Sequence, residues 1–181
     1  MKILEFGKRY KWGALLLVAV LSACTSMAVG TAPPMVGADS LVVLPIANYT
    51  ETPDAGHRAQ SIAQSILQQR GFRTLQEYPR SGDADLLAGN QSDQAKKQAI
   101  DWARSVGARY ALTGSVQEWR YKVGLDGEPA VGLTFNLLDV DSGAIIWSAT
   151  GSRSGWSRSS LAGVGQTLIQ QLLAPLVVQK G

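Results

Sequence analysis

The 181-residue sequence predicts an α/β sandwich whose elements follow the order β-α-β-α-β-β-β-α. Two observations indicate this class. In the first half of the chain, apolar residues at helical spacing alternate with short apolar runs, and in the second half three segments alternate with period two between tight turns. This order favours a mixed sheet whose second part is an antiparallel meander.

The first half begins with a predicted buried strand at Leu41–Leu44, a continuous apolar run that Pro45 interrupts. A helix follows, and Gly71 is its predicted stop. Its apolar residues recur at i, i+3, i+4, i+7 and i+8, the pattern of an amphipathic helix, at Ala59, Ile62, Ala63, Ile66 and Leu67.

The next predicted elements are a second strand at Phe72–Tyr78 and a polar loop at Pro79–Asn90. Helical spacing then returns and predicts a second helix that closes at Gly107. The apolar positions of this helix are Ala95, Ala99, Trp102, Ala103 and Val106.

The second half predicts a meander and a closing helix. The first strand has an apolar face and a wet face, formed by Tyr110, Leu112 and Val116 and by Thr113, Ser115 and Gln117, respectively. Asp126-Gly127 is a strong hairpin signal. A second strand follows, and a turn at 141–143 separates it from a third at Ile145–Thr150. The inward residues are Val131, Leu133, Phe135 and Leu137 in the second strand and Leu161, Val164, Leu168 and Leu172 in a helix that ends near Pro175.

Residues 1–23 have the organisation of a secretory signal peptide. Four basic residues precede an unbroken apolar run at 14–21, which is too short for a stable membrane span. The junction Leu21-Ser22-Ala23-Cys24 resembles the bacterial lipobox, in which the cysteine is acylated and becomes the first residue of the mature chain. Thr25 stands where an aspartate would retain an enterobacterial lipoprotein in the inner membrane, which favours the outer membrane.

Acylation would consume the only cysteine, so the mature protein has no disulfide and its stability must come from its core. Each buried methylene of a lipid adds about 0.8 kcal/mol, so several acyl chains make an effectively permanent anchor. Residues 24–40 contain small residues, two prolines and no period, which predicts a flexible tether behind the lipidated Cys24. Residues 41–181 then form a single periplasmic α/β domain.

Charge argues against a nucleic-acid partner. The full chain has 17 basic and 14 acidic residues, but residues 1–23 hold four of the basic and one of the acidic ones. The mature chain is therefore formally neutral. The basic character belongs to the signal peptide, and no basic surface for nucleic acid is predicted.

Catalytic and metal-binding patterns are weak throughout the chain. His57 is the only histidine and lies on the polar side of the first helix, where it is predicted to be solvated. Asp139-Val140-Asp141 resembles the metal-binding motif of sugar transferases, yet it sits where a strand meets a turn. Gly163-Val164-Gly165 lacks the rest of a dinucleotide fingerprint. The sequence therefore predicts no enzyme, no metal site and no cofactor.

Trp156 is the unusual residue of the segment GSRSGWSRSS, which otherwise reads as an exposed loop. Tryptophan is favoured at bilayer interfaces because its apolar body and its N–H suit a half-wet layer. Arg153 and Arg158 flank it and would meet lipid phosphates. The alternative is that Trp156 folds back onto the last helix and fastens it to the sheet.

The segments EWRYKVGLDGEPAVGL (118–133) and IIWSATGSRSGWSRSSLAG (145–163) resemble the PelC family, outer-membrane lipoproteins of the Pel exopolysaccharide secretion system. The likeness covers about residues 40–175. It implies a dodecameric ring that lies against the periplasmic side of the outer membrane, around the route to a β-barrel porin. In this family an aromatic belt faces the outer-membrane lipid, and an acidic funnel accepts a polysaccharide that is partly cationic through its amino sugars.

Carried over to this chain, the resemblance implies that Trp156 faces the membrane and that Asp126 lines the aperture, with Glu128 on the same loop. In a monomer Asp126 is an ordinary turn residue. In a ring every copy directs this carboxylate towards one axis, and the like charges build a focused negative field.

A ring needs head-to-tail contacts that close. The wet sheet face and its neighbours Trp119 and Arg120 are candidate subunit contacts, although simple solvent exposure explains a polar face equally well. The alternative function is a monomeric lipoprotein interaction module that regulates an envelope enzyme. A polysaccharide-modifying enzyme is a third class.

Overall fold

The computed structural model describes residues 25–36, 40–79, 93–124 and 127–179. Its elements in chain order are β1 (Thr25–Val29), β2 (Met35–Val36), β3 (Leu41–Asn48), α1 (Ala55–Gln69), β4 (Gln76–Glu77), α2 (Asp93–Ser105), β5 (Tyr110–Tyr121), β6 (Pro129–Asp139), β7 (Ile145–Ser154), α3 (Leu161–Leu172) and β8 (Val178–Gln179).

Six strands form one mixed sheet in the order β1-β7-β6-β5-β3-β4. β3 pairs in parallel with β4 and with β5, whereas the pairs β5–β6, β6–β7 and β7–β1 are antiparallel. A small parallel pair, β2 with β8, lies apart from the main sheet. The predicted α/β class and the antiparallel meander are confirmed.

The helices lie on opposite faces of the sheet. α1 and α3 cover one face, and with it they enclose the main core, whose largest members include Phe135, Leu137, Leu168 and Leu172. α2 covers only one end of the other face, where Ala99 and Ala103 pack against Val42, Leu44, Ala111, Leu138 and Val140. The rest of that second face is the wet face predicted from the alternation in β5.

Two helices end as their glycines predict. Gly71 and Gly107 follow α1 and α2 with φ of +99° and +71°, a left-handed conformation that costs glycine little. Arg70 joins α1 to the last turn of α3, because its guanidinium donates hydrogen bonds to the carbonyls of Gln170, Leu173 and Ala174 at 2.7–3.0 Å.

Two predicted strands differ from those observed. Pro45 does not end β3, which continues to Asn48 across a register shift between Val43 and Ile46. The strand predicted at Phe72–Tyr78 is reduced to Gln76–Glu77, and Phe72 instead packs in the main core. Most of the loop predicted at Pro79–Asn90 lies outside the described residues.

The structure corrects the prediction of a flexible tether. Residues 25–29 form β1, which pairs with β7 from Thr25↔Arg153 to Val29↔Ala149. Met35 is buried at 1% exposure, and β2 pairs with the chain end through β8. Backbone pairing along a sheet edge holds this segment, although its sequence has no strand alternation. The folded unit therefore includes residues 25–36 and is not confined to residues after 40.

Among the described residues, no helix is long and apolar enough to cross a membrane.

Candidate functional site

One end of the main sheet brings together most of the residues that the sequence singles out. Thr25 of β1 pairs with Arg153 of β7, Ser154 pairs with Ala130 of β6, and Pro129 pairs with Tyr121 of β5. The start of β1, the end of β7 and the β5–β6 hairpin therefore lie at the same end of the sheet, which we call the Trp156 end. Cys24 lies outside the described residues, one position before Thr25.

Trp156 projects from this end with 56% of its surface exposed. Ser159 closes a turn beneath it, since the Ser159 N–H donates to the Trp156 carbonyl at 2.8 Å and the Trp156 N–H donates to Ser159 Oγ at 3.2 Å. Ser160 then caps α3 by accepting a hydrogen bond from the Gly163 N–H. The turn and the cap fix where the indole emerges, and Trp156 does not fasten the helix to the sheet.

Trp119 takes the fastening role instead. It is only 2% exposed, and its ring lies so close to Gly165 of α3 that any Cβ at Gly165 would approach within 2.5 Å. The expectation that Trp119 contacts another subunit is therefore wrong. A bulge between Val116 and Glu118 shifts the alternation of β5 by one residue and turns Trp119 into the core.

Arg120 lies on the opposite side of β5 from Trp119 and is exposed. Its Nε donates to Glu118 Oε1 at 3.1 Å, so the two residues form an ion pair on the wet face near the Trp156 end. Such an exposed pair contributes little to folding. Arg120 remains available as a contact residue at the border of that face.

Two arginines give the Trp156 end its basic character. Arg153 is half-buried, and its Nη1 donates to Thr25 Oγ1 at 3.0 Å, which ties the end of β7 to the start of β1. Arg158 is exposed on the turn that carries Trp156. An exposed indole between two guanidinium groups is suited to the interface between lipid headgroups and acyl chains.

The acidic loop lies beside this aromatic site. The β5–β6 hairpin is closed by the Lys122 N–H, which donates to the Glu128 carbonyl at 2.8 Å, and Gly127 adopts the left-handed region with φ of +50°. Glu128 Oε2 lies 3.6 Å from Lys122 Nζ, so its charge is partly balanced within the hairpin. Asp126 lies outside the described residues.

The β5–β6 hairpin also carries two exposed apolar residues to which the sequence analysis assigned no role. Val123 is fully exposed, and Tyr121 is 52% exposed while its hydroxyl accepts a hydrogen bond from the Leu161 N–H. The Gly155 N–H donates to the Pro129 carbonyl, which holds the Trp156 turn against the hairpin. The sequence did carry a signal for Tyr121 and Val123, because both apolar residues follow the alternating part of the strand, where a solvated loop would carry polar residues.

The weak catalytic patterns have local structural explanations. His57 Nδ1 lies 3.5 Å from Asp54 Oδ1 at the start of α1. Asp139 closes the β6–β7 turn by accepting hydrogen bonds from the N–H and the hydroxyl of Ser142, and these bonds lower the pKa of its carboxyl below the usual value. Within the described ranges, no group of three or more His, Cys, Asp or Glu side chains is placed to hold a metal ion.

Comparison with solved structures places this architecture in a family. A PelC dodecamer from Paraburkholderia phytofirmans is 45% identical over 86% of this chain and 99% of its own, with a TM-score of 0.74. A single-substitution variant of that dodecamer is 46% identical, with a TM-score of 0.75, over 86% of this chain and all of its own. Lipoprotein GNA1162 from Neisseria meningitidis, 17% identical over 75% of this chain and 96% of its own with a TM-score of 0.51, shares the fold.

Sequence comparison adds a second relationship. Residues 18–152 match the family model of the peptidoglycan-synthase activator LpoB. A search of curated proteins found no significant match. Because the chain is 45% identical to a solved PelC over 99% of that structure, it belongs to the PelC family, and it also falls within the family that the LpoB model describes.

Proposed function

We propose that this protein is an outer-membrane lipoprotein that forms a periplasmic ring and guides a partly cationic exopolysaccharide towards a β-barrel export porin. The observation that carries the proposal is the pairing of Thr25 with Arg153. It leaves no tether between the lipidation site at Cys24 and the end of the sheet that presents Trp156. Consecutive Cα atoms lie about 3.8 Å apart, so the anchor and the indole must act on the same patch of membrane.

The proposal seats the Trp156 end on the periplasmic face of the outer membrane. Acyl chains at Cys24 supply the affinity, Trp156 enters the interfacial layer, and Arg153 and Arg158 meet lipid phosphates. Exposed Val123 and Tyr121 extend the apolar contact from the neighbouring hairpin. Each of the side-chain contacts is weak alone, and their combination with the lipid anchor on one end orients the subunit.

The same orientation makes the acidic loop functional. Glu128 stands on the hairpin beside the Trp156 turn, close to where a polymer would approach the membrane, and Asp126 precedes it by two positions in the sequence. The 45% identical relative is a dodecamer, which supports a ring for this chain as well. In a ring, the carboxylates repeat around one axis and attract cationic sugar units, while Lys122 moderates Glu128 and leaves Asp126 as the principal charge.

A second candidate function rests on the LpoB match over residues 18–152. A regulator of an envelope enzyme, such as a peptidoglycan synthase, would act as a single lipid-anchored module and would need no aperture. Self-association separates the two functions. The ring proposal requires twelve-fold or comparable closed assembly, and the regulator works as a monomer.

The test is the native mass of the acylated protein extracted from membranes in a mild detergent. A ring gives one discrete multimer whose mass does not change over a tenfold dilution, because a closed ring has no free ends. A mass equal to one subunit at all concentrations would reject the ring and favour the regulator.

A further inference from the structure

Part of the wet face of the sheet is not covered by any helix among the described residues. α2 packs over its far end only, and the remainder is formed by polar side chains of three neighbouring strands, which we call the bare sheet face: Ser115, Gln117, Thr134, Ser148, Thr150 and Ser152. Sheets in α/β proteins are usually covered on both faces. Among the described residues, nothing lies over this part of the sheet.

The bare sheet face shares one property with interface centres, a low content of charged residues. None of its six residues carries a charge, and the nearest charges belong to the ion pair of Glu118 with Arg120, in which Glu118 lies directly across from Gly132. Protein interfaces commonly have such an arrangement, with an uncharged centre and a polar rim. A groove of about 320 Å³ crosses the face, lined by Gln117, Gly132 and Thr150 together with residues 26–28 of β1 and residues 151–152 of β7.

Covering this face leaves few polar groups without partners. Gln117 Nε2 donates to Ser115 Oγ at 2.7 Å and to Thr134 Oγ1 at 3.2 Å, and the hydroxyls of Thr134 and Thr150 lie 2.8 Å apart. A buried polar group is costly mainly when it loses its hydrogen bonds. The network across β5, β6 and β7 keeps its hydrogen bonds when water is displaced.

A second uncharged surface lies on the opposite side of the same subunit. No Asp, Glu, Lys or Arg occurs between residues 159 and 179, a segment that includes all of α3. The outer side of α3 presents Ala162, Gln166 and Gln170, all exposed. By contrast, the outer side of α2 carries Lys96, Lys97, Asp101 and Arg104. α3 is thus a helix whose exposed side carries no charge to prevent its burial.

We propose that the outer side of α3 in one subunit docks on the bare sheet face of the next copy of this chain, and so supplies the missing helical layer. The inference rests on the proposed ring and names its contact. Two different surfaces on opposite sides of one subunit generate a head-to-tail series, which closes into a ring when the rotation between copies permits. With the Trp156 end on the membrane, both surfaces point sideways, in the plane of the ring.

The test is thiol cross-linking of the full-length acylated protein in its membranes. Thr150→Cys and Gln166→Cys are combined in one chain and treated with a flexible thiol-to-thiol cross-linker, and the products are separated under denaturing conditions. The double variant should give a ladder of covalent multimers, while each single variant stays monomeric. Thr150→Cys combined with Gln98→Cys on α2 is the matched control and should give no ladder.

A charge inserted into the contact gives a second readout. Gln166→Arg should raise the concentration at which half of the subunits are free by at least about tenfold, because an unpaired charge must be desolvated. Gln98→Arg, the same change on an exposed position of α2, should leave assembly unchanged. Rings of normal mass in Gln166→Arg, or a double-cysteine variant without a ladder, would overturn this contact and leave the ring standing. Dimers from a single-cysteine variant would instead show a symmetric contact. A wild-type protein of monomer mass would reject both the contact and the ring.

Discussion

Arg153 Nη1 donates a hydrogen bond to Thr25 Oγ1 at 3.0 Å, and the two residues are also paired in the sheet. This relationship joins the first residue after the predicted lipidation site to the strand that leads into the Trp156 turn. It converts two separate sequence features, a lipobox and an exposed tryptophan, into one surface.

Insertion of a flexible Gly/Ser linker of about ten residues between Cys24 and Thr25 should leave acylation and folding intact but release the Trp156 end from the membrane. Such a linker has a root-mean-square length on the order of 17 Å, which allows the domain to rotate away from its anchor. In vesicles that carry the acylated protein, trypsin should cleave at Arg158 faster in the linker variant than in the wild type. An equal insertion after Gly143, in the turn at the opposite end of the sheet, is the control, and equal cleavage in all three proteins would contradict the direct seating.

In the unacylated protein, Trp156→Ala should weaken binding to vesicles and should lower the free energy of unfolding by only about 1 kcal/mol, since the indole is 56% exposed. Trp119→Ala is the matched comparison and should cost about 3–5 kcal/mol, because it empties a core position against α3. Chemical denaturation and vesicle flotation measure the two effects. Comparable destabilisation by both substitutions would mean that Trp156 supports the fold.

Export of a cationic polymer should fall in the variant Asp126→Lys, Glu128→Lys, while the milder Asp126→Asn should reduce it less. The double change reverses the field of the hairpin, and Lys122, which lies 3.6 Å from Glu128, then adds to the repulsion. Asp141→Lys with Glu51→Lys makes the same change in net charge on exposed residues elsewhere and should export normally. Unchanged secretion in the hairpin variant, with the ring intact, would reject the electrostatic role of the loop.

The hydrogen bonds from Ser142 lower the pKa of the Asp139 carboxyl, so its ionised form stabilises the folded state. This contribution is present above the ordinary pKa of an aspartate, about 4, and is lost as the pH falls through the lower value in the folded protein. Asp139→Asn should therefore lower the Tm at neutral pH, and the difference from the wild type should shrink as the pH falls below about 4. A difference in Tm between the two proteins that does not change with pH would show that the charge of Asp139 does not contribute to stability.

The strands and helices predicted from the sequence are those in which the periodic apolar residues are also the buried ones. Phe135 and Leu137 alternate along β6, and Leu168 and Leu172 follow one side of α3, so periodicity alone located their cores. β1 was missed because every one of its residues is exposed, and only pairing with β7 makes it a strand. No local pattern in the sequence encodes that tertiary contact.

Trp119 and Trp156 show which features of the site could be predicted from the sequence and which could not. Both lie among polar residues, and counting by two from Val116 assigns Trp119 to the wet face. The bulge after Val116 reverses that assignment, and a bulge of one residue has no clear sequence signal. The exposure of Trp156 could be predicted, since a Gly- and Ser-rich turn offers no local surface to bury an indole.

The most direct test of the membrane-facing end is the quenching of Trp156 fluorescence by lipids brominated near the headgroup. The signal of Trp156 is obtained as the difference between the acylated wild type and Trp156→Phe in the same vesicles, because the contributions of Trp102, Trp119 and Trp147 cancel in this difference. We expect this difference signal to be strongly quenched by headgroup-proximal bromine and less by bromine at the acyl-chain ends. A difference signal that brominated and ordinary lipids leave equally bright would show that Trp156 points to water, and would contradict the seating on which the proposed function depends.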